Sequence, residues 1–169
     1  EPSLYLFTAT LAVLLAGFSK ASAAGSIGLL AVPLMAMAID SLGSGDRVLI
    51  AEACTHHPIG DDIGRVKIPR WLTQHAGGGL HFDHVQGRDF PGDLQSYRLV
   101  VHCGACMWNR REVLSRIDRC RQAGVPICNY GVTIAYTLGI FARALEPFPE
   151  ALDVYREAVK FCLFKSNRF

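Results

Sequence analysis

Three cysteines and three histidines fall in two short runs, Cys54-Thr55-His56-His57 and His102-Cys103-Gly104-Ala105-Cys106. Thiolates and imidazoles at this spacing bind soft or borderline metals, either zinc or the iron of an iron–sulfur cluster. A Cys-x-His run joined to a His-Cys-x-x-Cys run is a stronger signal than either alone. Cys54, Cys103 and Cys106 with one weaker, replaceable ligand suit a [4Fe–4S] cluster whose fourth iron stays accessible. They suit a Cys3His zinc site as well, and spacing does not separate the two. His56, two residues after Cys54, can return to the same metal, and His102 can do so from the second run; His57 need not. A reversible Cys103–Cys106 disulfide is the third chemistry open to the Cys-x-x-Cys spacing.

These runs need elements that bring them together. Arg47–Ala53 reads as a strand that is apolar through its centre (Val48, Leu49, Ile50, Ala51), as a parallel sheet buried on both faces requires. Glu52 interrupts it as a strand-end carboxylate bonded locally. Leu80–Val85 alternates apolar and polar, which predicts an edge strand with one wet face and surface positions for His81 and His84, as for His75. Tyr97–Val101 and Val125–Cys128 are two further short strands. Asp61 and Asp62 can cap a short helix with Ile63 and Val66 inward, ended or kinked by Pro69. Asn109 and Glu112 form a capping box for a helix over 110–123, with Val113, Leu114, Ile117 and Cys120 on one face and Gly124 closing it. Cys106 then lies just before a helix amino end, where the dipole favours thiolate. Helices are expected over 133–144 and from Pro149 onward, the latter with Leu152, Tyr155 and Val159 inward.

Strands alternating with helices predict a small doubly wound parallel α/β sheet of about four strands in the order 2-1-3-4. Strands 1 and 3 are then neighbours at the point where the order reverses, and ligands bind beyond the carboxyl ends there. Cys54 and Cys103 occupy those two ends. Asn129 and Tyr130, at the tip of strand 4, are placed to tune a bound group by hydrogen bonding.

Asp46–Leu72 (DRVLIAEACTHHPIGDDIGRVKIPRWL), Val101–Met107 (VHCGACM) and Asn129-Tyr130-Gly131 together resemble the cluster-binding domain of the HydF family, maturation factors of [FeFe]-hydrogenases. The resemblance covers roughly residues 39–150. It implies a [4Fe–4S] scaffold that carries a di-iron precursor to apo-hydrogenase, with the hydrogenase apoprotein and its radical-SAM maturases as partners and a cytoplasmic setting. On this reading Arg65 and Lys67 form a cationic rim able to hold an anionic, cyanide-bearing di-iron unit by charge-assisted hydrogen bonds; read without the family, they and Arg70 are a solvated face. Members of the family also carry a GTPase and a dimerisation domain. These 169 residues contain no G-x-x-x-x-G-K-[ST] loop and no nucleophile–base pair, so the chain is expected to act as a carrier and not as an enzyme.

Residues 4–39 differ from the rest. Two apolar runs flank a small-residue break, and the first 39 positions carry only Glu1 and Lys20 as charges, which sets a domain boundary at 39/40 and leaves 40–169 as the α/β cluster-binding domain. Each run falls short of the ~20 residues of a full membrane span. Residues 4–38 resemble the opening segment of the TauE/SafE sulfite-exporter family, though Ala21-Ser22-Ala23-Ala24 stands where that family has a glycine-rich break. Membrane contact through 4–39, a signal peptide, a hairpin packed on the domain or on a second chain in a homodimer, and a non-native junction all fit this composition. A net charge of +2 gives no argument for a nucleic-acid partner. Six cysteines, three of them clustered with histidines, point to reduced, metal-binding thiols instead of disulfides.

Overall fold

The computed structural model describes residues 38–53 and 60–156. Four parallel strands form one sheet in the order β2-β1-β3-β4, with β1 at Arg47–Glu52, β2 at His81–Gln86, β3 at Leu99–His102 and β4 at Ile127–Asn129. The class and order agree with those read from the sequence. The carboxyl tips are in register: Ala51 pairs with His102, and His102 pairs with Asn129.

The apolar run of β1 explains its central place. Val48, Leu49, Ile50 and Ala51 are all fully buried, as are Leu99, Val100 and Val101 of β3. Successive side chains of a strand point to opposite faces. Val48, Ile50, Leu99 and Val101 therefore enter one core, with Ile68 and Leu72 of α1 (Ile68–His75) and Tyr136 of α3 (Tyr130–Thr137). Leu49, Ala51 and Val100 enter the other, with Leu94 and with Cys120 of α2 (Arg110–Gln122). Helices thus cover both faces, as a parallel sheet demands. Ala38 and Ile39, the last residues of the apolar leader, are buried in the first core. Residues 1–37 lie outside the described residues, and with them the readings made for that segment. Among the described residues no helix is long and apolar enough to cross a membrane.

Several local expectations are corrected. Asp62 does cap the turn after β1, accepting from Arg65 N, but the turn is a π-helix, Ile63–Lys67. Its inward residue is Gly64, while Ile63 and Val66 are exposed. The π turn does end just before Pro69, at Lys67 with Ile68 as its C-cap, and Pro69 then lies in the first turn of α1. The single helix expected over 133–144 is two, α3 and α4 (Phe141–Ala144), separated at Gly139, which adopts φ 71°. Asn109 caps α2 through Glu112 N at 3.0 Å, as its sequence predicts.

Candidate metal centre

The two cysteine runs leave the sheet side by side. The amide of Ala53 donates to Cys103 Sγ at 3.0 Å, and Ala105 N donates to the same sulfur at 3.4 Å. The amide of Cys103 in turn donates to Ala51 O at 3.0 Å, extending the β1–β3 ladder beyond its last pair. Cys54 follows Ala53 in the chain, but Cys54, His56 and His57 lie outside the described residues. Cys103 is half-buried and Cys106 exposed, and both thiols are free. Between them Ala105 takes a left-handed φ of 53°, unusual for a residue with a Cβ. That turn keeps Ala105 buried and aims its amide at Cys103. Burial acts to raise the Cys103 thiol, yet the His102 ring and the two backbone N–H donors outweigh it and hold its pKa below the ordinary value. A sulfur that receives N–H bonds while its thiolate is favoured has the chemistry of a metal ligand. Among the described residues no three of His, Cys, Asp and Glu converge as a metal site. The first run is attached to Ala53, whose amide touches one sulfur of the second.

His102 is buried, and both of its ring nitrogens are occupied. Nε2 lies 3.2 Å from Arg116 Nη1, and Nδ1 lies 2.8 Å from Cys103 O. Arg116, on α2, was not anticipated. It is only 2% exposed. Its Nη2 donates to Gly87 O, and its guanidinium lies over Trp108 (3.9 Å to the ring centroid) and Phe90 (4.6 Å). Burial lowers its pKa, opposed by the charge of Glu112. A charged side chain in a polar-rich helix reads as solvent-facing, which is why it was passed over. Its position carried the signal: 116 falls on the helical stripe of Val113, Ile117 and Cys120.

On the other face of the sheet, Glu52 is also buried. It is not bonded locally. It accepts from Gln86 Nε2 at 3.1 Å and from Tyr130 Oη at 3.2 Å, residues far along the chain. Burial, followed by the Glu52 charge, drives the Tyr130 pKa far upward, so Tyr130 stays a donor. Arg65 Nε stands 3.9 Å from Glu52 Oε2 with its side chain about half exposed. Lys67 is half-buried at the end of the π turn. Asn129 is exposed, and its side chain caps α3 by accepting from Val132 N. Of the three histidines assigned to the surface, His81 is exposed, His75 pairs with Asp40 at 2.8 Å, and His84 Nε2 lies 3.1 Å from Gly64 O.

Residues 34–147 match the family described as the hydrogen maturase F tetramerization domain. The chain belongs to this family. Hydrogenase maturation is thus the setting of this chain, and the family is described as one that tetramerises. No curated protein matches the chain.

Proposed function

We propose that this HydF-family chain binds a [4Fe–4S] cluster through Cys54, Cys103 and Cys106, in the gap between the tips of β1 and β3. The observation that carries the reading is the 3.0 Å bond from Ala53 N to Cys103 Sγ, which sets the residue preceding Cys54 against the second cysteine run. A cluster with three cysteine ligands supplies one iron that can exchange its fourth ligand, with His56 or a group from outside this chain as the occupant.

The chain's residues then have distinct tasks. The His102 ring and the amides of Ala53 and Ala105 favour the thiolate of Cys103, while exposed Cys106 leaves one side of the site open to cargo. Tyr130 and Gln86 keep Glu52 hydrogen-bonded close to that opening. Arg65 and Lys67, beside it on the π turn, present cationic groups to an anionic di-iron substrate. The protein is a carrier that passes this di-iron unit to apo-[FeFe]-hydrogenase after receiving it from the radical-SAM maturases, and it works as a homo-oligomer, in keeping with the family's description.

Anaerobic reconstitution of the full chain with iron and sulfide tests the reading. A brown protein whose iron is lost in Cys54→Ala is expected. A colourless protein holding one zinc would replace the reading with a structural Cys3His module, and a reversible Cys103–Cys106 disulfide with no bound metal would replace it with thiol redox chemistry.

A further inference from the structure

We propose that Arg116 is a positioning residue for the metal group at Cys103: it keeps His102 out of the ligand set and fixes a positive charge behind the cluster. The inference rests on the cluster reading above and adds a residue and a ligand exclusion to it.

A guanidinium is donor-only, so at 3.2 Å the His102 Nε2 must accept from it. The ring proton is then on Nδ1, donated to Cys103 O at 2.8 Å. In this arrangement neither ring nitrogen has a lone pair left for a metal. His102 braces the backbone of a ligand instead of being one.

The charge itself needs explaining. A buried cation is costly unless it is paired, and an apolar residue on the α2 stripe would fill the core at lower cost. Arg116 has no ion pair with a carboxylate among the described residues, and its Nε has no hydrogen-bond partner. It is held by the rings of Trp108 and Phe90 and by Gly87 O. The acidic network of Glu52 and Tyr130 lies on the opposite face of the sheet from His102, by the alternation of β1 and β3. The charge of Glu112 acts on Arg116 without a salt bridge, and an anionic, thiolate-ligated cluster at Cys103 would add to the negative charge that it faces. A fixed positive charge favours the more negative, reduced form of such a cluster and so raises its reduction potential.

The test is a dithionite titration of the reconstituted full chain, in which dithionite supplies the one electron the cluster takes up. Arg116→Met should load as much iron as wild type. Its reduction equilibrium should become at least tenfold less favourable, a fall of about 59 mV for one electron. Arg116→Lys, which keeps the charge, should stay nearer wild type than Arg116→Met. His102→Gln, whose carbonyl can still accept from Arg116, should keep the wild-type electron paramagnetic resonance g values in the cluster that it loads. The inference is overturned by a wild-type potential in Arg116→Met, by an equal shift in Arg116→Lys, or by altered g values in His102→Gln. Should Arg116→Met fail to fold, the His102→Gln arm decides. A wild-type chain that takes up no cluster sinks the cluster reading itself; a loaded wild type with unresponsive variants sinks only this one.

Discussion

Ala53 and Cys103, 50 residues apart in sequence, meet through an amide–sulfur hydrogen bond of 3.0 Å. The parallel pairing of β1 with β3 makes this contact, because it ends the two strands level with each other. Residues that leave adjacent parallel strands at the same height enter one crevice, and the reversal of strand order keeps a helix from closing it. Arg116 and His102 support this crevice from the α2 face, and Glu52 with Tyr130 from the other.

Gly64 is required by that second network. A Cβ at position 64 would fall inside contact distance of Tyr130 Oη and 2.7 Å from Glu52 Oε1. Gly64→Ala should therefore destabilise the fold by about 1–3 kcal/mol, read as a lower urea midpoint. Combined with Tyr130→Phe, it should cost less than the sum of the two single changes, since the hydroxyl it strikes is gone. Strict additivity would mean that the two do not touch.

The buried thiols predict an alkaline limit to stability. Burial pushes Cys120 up to about 12 and Cys128 up to about 11, from an ordinary value of 9.0. Between pH 9 and pH 11 the unfolded chain therefore releases thiol protons that the folded chain retains. At these two thiols the folded state then binds more protons, so their contribution to stability falls as pH rises through this window and is level below it. Urea midpoints measured from pH 9 to pH 11 should decline, and Cys120→Ala should lessen the slope of the decline. A midpoint that rises with pH in that range would contradict the burial of these groups.

The cap of α2 offers a separate check. Asn109 accepts from Glu112 N at 3.0 Å at the start of the helix that carries Arg116. Asn109→Ala should cost about 1 kcal/mol, while Asn109→Asp should cost little, because a carboxylate accepts the same bond. Thermal melts of the two variants separate the outcomes.

Much of the scaffold was legible from pattern alone. Continuous apolar runs in β1 and β3, alternation in β2, and helix caps at Asp62 and Asn109 each report a local rule that tertiary packing left intact. The errors have physical causes. Ile63 and Val66 were read as inward because they are apolar, but the space beneath the turn is taken by Tyr130 and Glu52, and only a glycine fits there. Pro69 was read only as the end or kink of the first turn, which does stop before it, and its second role at the start of α1 went unread. Glu52 was assigned local partners because nothing in a sequence shows which distant donors, here Gln86 and Tyr130, reach a strand end. Arg116 escaped notice because composition counts an arginine as surface, while its helical phase put it among core residues.

The central claim is that the Cys54 and Cys103–Cys106 runs form one iron-binding site. Iron and acid-labile sulfide analysis of the anaerobically reconstituted chain, beside Cys103→Ser, tests it most directly. The account predicts about four irons and four sulfides per wild-type chain and a large loss of both in the variant. Equal metal content in the two proteins, or zinc in place of iron and sulfide in the wild type, would contradict it.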